Sequence, residues 1–327
     1  MMLGLGIAAL GLGLAGAPLP LTVLSISAPF GALGHACFQP MVRMAIGVVV
    51  EPAHQKLAVA WMRTGNNLAS LFGFALVALA ADIGLFPLYL LDALTTALAL
   101  LVTWRRVPDV RPHRASAPVE SPATVDTPAT VDTPAAVDTR LPFLLFSLIM
   151  MANMIVYDLY MVSEAAALAL TRPERGVAWF GGLMALNTLL CVVAAVPASR
   201  RVRNPAVAIP FGLALQGLGL AVAALDFADL RLAALSMALV TAGEVAITAL
   251  SGYVLLRLAP RGAHAGKAFA AQAVALDAGR LVGAAMAFPL IVHGRAPVVV
   301  GLCLGVITCL GAWLARPVWH AYAQLDQ

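Results

Sequence analysis

Apolar residues run along this chain in long stretches, broken by brief clusters of Pro, Gly, Asp and Arg. The stretches match the ~20 residues that a helix needs to cross a bilayer core. They are far longer than the ~10-residue strands of a membrane barrel. Helices and closed barrels are the two structures that satisfy every backbone polar group in hydrocarbon, so the pattern predicts helices. It predicts ten, at 1–17, 21–48, 57–81, 84–104, 141–170, 177–198, 206–225, 231–257, 268–292 and 297–315. The opening stretch ends in Ala15-Gly16-Ala17 but lacks a basic leader, so it reads as a span and not as a signal peptide.

One connection breaks the rhythm. Residues 105–140 hold three near-copies of a six-residue phrase, PATVDTPATVDTPAAVDT, from Pro122 to Thr139. Proline at every sixth position denies this tract a stable helix, and it has little bulky apolar surface to bury. It reads as a flexible cytoplasmic tether between an N-terminal half of four helices, 1–104, and a C-terminal half of six, 141–327.

Composition agrees with the pattern. Apolar residues make up 61% of the 327 and charged residues 11%, and mean hydropathy is +0.92. A soluble domain carries about 25% charged residues, so this chain cannot clothe itself for water. Its surroundings are the lipid bilayer. The net charge of +4 then reports loop topology and not a nucleic-acid partner. Arg172, Arg175, Arg231 and Arg295 fall on the outer side, Arg280 lies within a helix, and the other fifteen of the 20 Lys and Arg residues collect on the inner side. Both termini are therefore expected in the cytoplasm. Cys37, Cys191, Cys303 and Cys309 lie scattered through apolar segments without metal-ligand spacing, and read as small buried hydrophobes.

Several phrases carry a resemblance. RTGNNLASLFGFALVALAAD (63–82) and LYLLDALTTALALLV (88–102) precede the tether. WFGGLMALNTLLCVVAAVPASRRVR (179–203) and TAGEVAITALSGYVLLRLAPRGAHAGKAFAAQAVALDAGRLVGAAMAFPL (241–290) follow it. In order and spacing they resemble the fifth, sixth, eighth, tenth and eleventh helices of the major facilitator superfamily, most nearly its bacterial drug-efflux permeases. On that register residue 1 falls at the start of the third helix. The first two helices, with the Asp-Arg and Gly-Arg-Arg loop that follows them, are expected to be missing. Gly73-Phe74 and Val77-Ala78 stand where drug antiporters carry Gly-Pro and Gly-Gly, and Ala28 stands where they carry an Arg. The resemblance implies a helical bundle of two parallel halves that moves a small-molecule substrate by alternating access, in a bacterial inner membrane.

Polar residues inside spans mark candidate sites, because an unpaired charge there costs several kcal/mol. Asn153, Tyr157, Tyr160 and Glu164 recur at steps of four, three and four, so they share one helix face, with Asp158 beside it. That face reads as a wet cavity wall, or in the case of Glu164 as a solvated outer end. Thr241, Glu244, Thr248 and Ser251 repeat the idea, and Gly243 invites a close neighbour. Asp158, Glu164 and Glu244 are candidate proton carriers, with the proton as the expected coupling ion. His35, Gln39 and Arg43 share a face of the 21–48 span; the first two are candidate cavity residues and Arg43 reads as an inner-end anchor. Arg63, Asn67 and Ser70 form a further stripe, with Arg63 read as an anchor at the inner interface. Asp277 and Arg280, three apart, are expected to pair.

No enzymatic constellation competes with these. No histidines pair at metal-ligand spacing, no glycine loop with lysine cradles a phosphate, and no ATPase signature appears. Neither a cofactor nor a metal is expected. The leading expectation is proton-coupled efflux of small amphipathic organic compounds. Uptake of a sugar or organic acid by the same fold, and a truncated, non-transporting or partner-binding membrane protein, are the alternatives.

Overall fold

The computed structural model describes residues 34, 38, 40–78, 85–106, 138–226, 229–259, 265–292, 305, 306, 308–313 and 315–325. Regular structure among them is helical throughout: α1 Pro40–Val49, α2 Pro52–Ala78, α3 Leu85–Arg106, α4 Arg140–Thr171, α5 Gly176–Arg201, α6 Pro205–Ala223, α7 Leu230–Leu258, α8 Ala265–Val292 and α9 Arg316–Leu325. The predicted spans from 57–81 to 268–292 each coincide with one of α2 to α8. The 1–17 span, most of 21–48 and 297–315, and almost all of the 105–140 insert lie outside the described residues. Among the described residues, α4, α5, α6 and α7 are long and apolar enough to cross a membrane.

Local sequence explains where the helices stop and start. The Asn204 side chain accepts from the Ala206 amide at 3.0 Å, and Pro205 occupies the first helical position, where its missing N–H is no loss. Asp229 caps α7 by accepting from Arg231 N at 2.7 Å. Ala259 ends α7 with φ −61° and ψ 135°, the extended geometry that a following proline imposes, and Pro260 is next in sequence. Gln55 Nε2 donates to the Gly47 and Val50 carbonyls at 3.2 and 3.1 Å, so the end of α1 is tied to the start of α2.

Three helix pairs make the most extensive contacts: α6 with α7, α8 with α4, and α2 with α5. The first depends on small residues. A Cβ on Gly212 would stand 2.7 Å from the Gly243 carbonyl oxygen and 2.7 Å from Ile247 Cγ1, and one on Gly243 would strike the Gly212 carbonyl in return. Backbone meets backbone at this crossing, as is common in membrane bundles where small residues let helices close up. Ser236 Oγ adds a bond across the same pair, donating to Gly219 O at 2.7 Å.

Two apolar clusters fill the bundle. One joins Phe146, Ile209, Val254, Leu258 and Phe269 with Val318 and Tyr322 of α9. The other joins Tyr160, Leu168, Met184, Leu220 and Met237. Outward positions are equally apolar, with Leu186, Val193, Val207, Phe211 and Leu218 exposed. A chain greasy on both sides of its helices is built for lipid.

The last element was not expected. The predicted tenth span ends at 315 with nothing after it, yet Arg316–Leu325 forms α9, which packs against α4 and α7. It buries Val318, Ala321 and Tyr322 along one face. Trp319 Nε1 donates to Ala312 O at 2.9 Å, and the Trp319 ring stands edge-on to Phe146 at 6.3 Å. Ten residues cannot cross a bilayer, so a search for long apolar runs passes over a short amphipathic helix.

The α6–α7 crossing yields a first prediction. Gly212→Val should lower the stability of the detergent-solubilised protein by roughly 1–3 kcal/mol, the usual penalty for overpacking. Gly182, whose added Cβ meets nothing within 4 Å, is the control, and Gly182→Ala should leave thermal unfolding nearly unchanged. Equal melting temperatures for Gly212→Val and wild type would contradict the close crossing.

Candidate functional site

Residues of α2, α4, α5 and α7 line an open cavity of about 300 Å³. Asn67, Ser70 and Phe74 of α2 line it, with Tyr157, Asp158 and Met161 of α4, Phe180, Met184, Asn187, Thr188 and Cys191 of α5, and Glu244 of α7. Three aromatic rings and two thioethers thus share a wall with two carboxylates and two amides. The size suits a small organic molecule.

Hydrogen bonds hold the polar side of this wall. Asn187 is 1% exposed; its Nδ2 donates to Tyr157 Oη at a long 3.5 Å. Thr241 Oγ1 lies 3.0 Å from Asn187 Oδ1 and 2.7 Å from Met237 O, so its one proton serves either acceptor. Cys191 Sγ approaches Asn187 Oδ1 at 3.5 Å. One amide from α5 therefore fastens α4 to α7.

Charges are paired across longer reaches of sequence. Arg63 Nη2 of α2 meets Glu244 Oε1 of α7 at 3.3 Å, with side chains 34% and 12% exposed. The other carboxylate oxygen, Oε2, is buried without a hydrogen-bond partner among the described residues. Arg280 donates to Asp277 at 2.9 Å within α8 and reaches Asp158 of α4 at 4.0 Å. Arg43 Nη1 of α1 donates to Gln272 Oε1 of α8 at 2.6 Å. The sequence reading made Arg63 and Arg43 anchors at the membrane interface; the structure turns both inward, onto partners in other helices. Removing one partner of the Arg63–Glu244 pair, the most buried of these ion pairs, would strand the other charge.

The structure divides the predicted α4 stripe. Tyr157 and Asp158 reach the cavity. Asn153 is 3% exposed, and its Oδ1 has no partner among the described residues. Tyr160 turns away into the apolar cluster with Leu220 and Met237, its hydroxyl buried without a hydrogen-bond partner among the described residues. Glu164 goes furthest: it is 0% exposed, and neither carboxylate oxygen has a partner among the described residues. It is thus not a solvated outer residue, and it is more deeply buried than Glu244. On α7, Thr241 joins the network behind the cavity while Thr248 is half-buried and is not among its lining residues. His35 and Gln39 lie outside the described residues.

Sequence reasoning missed the α5 wall. Asn187 and Cys191, four apart, were a readable signal, since they repeat one helical face within an otherwise apolar run. The α2 stripe of Asn67 and Ser70 was seen, but its destination was not.

This arrangement joins a helix from before the long insert to three from after it, around one polar cavity inside an apolar bundle. The sequence model of the Major Facilitator Superfamily matches residues 1–284. The chain belongs to the major facilitator superfamily. None of the curated proteins matches it. As a facilitator, it is a multi-pass membrane transporter that takes small-molecule substrates.

The Arg63–Glu244 pair of this facilitator is testable by a double-mutant cycle. Arg63→Met and Glu244→Gln should each destabilise the protein, and the double variant should recover about 1–2 kcal/mol relative to the sum of the two. Thermal unfolding in detergent provides the readout. Strict additivity would mean that the two side chains do not interact.

Proposed function

We propose that the chain is a proton-coupled exporter of small amphipathic organic compounds that carry a positive charge, working in a bacterial inner membrane with both termini cytoplasmic. The observation that carries this reading is the lining of the cavity, where Phe74, Tyr157 and Phe180 face the same space as Asp158 and Glu244. Aromatic faces attract cations, most strongly where water is excluded. Carboxylates provide the counter-charge, and Met161 and Met184 adapt to irregular apolar shapes. Uptake of a sugar is the second reading, since Asn67, Ser70, Asn187 and Thr188 also line this space.

Coupling follows from competition for the carboxylates. Glu244 is engaged by Arg63, and Asp158 lies within 4.0 Å of Arg280. A cationic substrate that approaches Glu244 competes with Arg63 and so weakens the tie between α2 and α7. A proton on the same carboxylate weakens that tie too. Substrate and proton thus oppose one another at one group, which is the requirement for exchange, and each biases the equilibrium between the two access states by its differential affinity. Glu164 is the candidate for a second protonation event. An ionised carboxylate without a partner costs several kcal/mol in apolar surroundings, so its proton is expected to leave only when α4 changes neighbours.

The test uses proteoliposomes with an acidic interior and a quaternary ammonium dye, whose permanent charge prevents a pH gradient from trapping it passively. Dye should accumulate only while the gradient lasts. Glu244→Gln or Asp158→Asn should cut accumulation about tenfold, the loss expected of one charge-assisted contact. Glu164→Gln should let dye equilibrate without concentrating it. Accumulation that persists after the gradient is collapsed, or that matches protein-free liposomes, would rule out proton-coupled export.

A further inference from the structure

A second cavity lies away from the first. It is a groove of about 450 Å³ between the connection that joins α5 to α6 and the short helix α9. Arg203 and Asn204 form one rim, Pro205 and Ala206 continue it, and Trp319, Tyr322 and Ala323 form the other side. The groove has two kinds of surface. Its floor is apolar, made of proline, alanine and the flanks of two aromatic rings. Its rim carries one cation, Arg203, with Arg200 and Arg201 nearby in sequence at the end of α5; all three are exposed, and none has an ion-pair partner among the described residues.

We propose that this groove binds an anionic phospholipid, with the phosphate on the arginine rim and the upper acyl chain along the Trp319 and Ala323 floor. Arg203 on the groove, with Arg200 and Arg201 within three positions of it in the chain and no ion-pair partner for any of them among the described residues, calls for an anion, and guanidinium forks match phosphate oxygens geometrically. A free anion would leave the apolar floor uncovered. An uncharged acyl chain would leave the rim unpaired. The ligand that satisfies both is an amphiphile with a negative head, and such molecules are the solvent of this end of the bundle.

Position supports the assignment. Arg200 and Arg201 occupy the last turn of α5, and Arg203 lies two positions before the start of α6, so the rim stands where spanning helices emerge from hydrocarbon. Trp and Tyr favour that level, with the ring in the apolar layer and the polar edge near headgroups. Trp319 and Tyr322 are fixed there, Trp319 by its bond to Ala312 O and Tyr322 by an edge-on contact with Tyr253 at 6.3 Å. The floor is thus a built surface. Lys56 Nζ of α2 donates to Val202 O at 2.8 Å in the same connection, so a lipid held here also lies beside the contact between α2 and α5.

The full chain should be released from mixed phosphatidylglycerol–phosphatidylcholine nanodiscs into a native mass spectrometer and the retained lipids counted. Wild type should keep phosphatidylglycerol in preference to phosphatidylcholine. The triple variant Arg200→Gln, Arg201→Gln, Arg203→Gln should lose this preference by roughly fivefold per arginine. Ala323→Phe should also lose it, by filling the floor while leaving the rim charged. Millimolar glycerol phosphate, the headgroup without its chains, should not displace the lipid. Equal retention by wild type and the triple variant would overturn the proposal. Retention unaffected by Ala323→Phe would reduce the site to a charged patch, and full displacement by glycerol phosphate would make it a free-anion site; either result rejects the lipid groove.

Discussion

Hydrocarbon offers a protein no hydrogen bonds, and the whole arrangement follows from that constraint. Backbone amides bond within helices, and the exposed leucines and valines of α5 and α6 face outward without penalty. Polar side chains have a narrower choice: they reach an end of the bundle, or they find each other inside it. Arg63 finds Glu244, Arg280 finds Asp277 and Asp158, and Arg43 finds Gln272. Each arginine stem crosses from one helix to another, so pairing of charge and packing of helices become one event.

Close packing places those pairs. At Gly212 and Gly243 the backbones of α6 and α7 meet directly, and this fixes the face that α7 presents to α2 and α5. Glu244 adjoins Gly243, so the contact that draws α7 against α6 also aims a carboxylate at the opposite side. The amide of Asn187 then ties this wall to Tyr157 of α4. Specificity in such a cavity comes from a few polar groups on a mostly apolar surface, and here most of them are held by neighbours rather than by their own helix.

Glu164 stands apart from this economy. It is fully buried, and its two oxygens have no partner among the described residues. Arg63 with Glu244 and Arg280 with Asp158 are paired across helices, whereas this carboxyl is kept without a partner among the described residues. Such groups are costly to retain on structural grounds alone.

Much of the fold was legible by itself. Span length and apolar runs located α2 to α8, because a bilayer imposes a length that a sequence must display. Helical spacing also found Tyr157, Asp158 and Glu244, along with the Asp277–Arg280 pair, since neighbours three or four apart share a face whatever surrounds them. Periodicity has no access to what stands opposite that face. It could not tell that Tyr160 turns into an apolar cluster and Glu164 is fully buried while Tyr157 and Asp158 open onto a cavity, nor that Arg63 leaves the membrane interface for a partner 181 positions away. It passed over α9, whose ten residues are too few to register as a span and become meaningful only against α4 and α7. Local periodicity sets which residues line up on a helix. The meeting of α2 with α4, α5 and α7, a matter of contacts distant in sequence, decides which of those lines enclose a site.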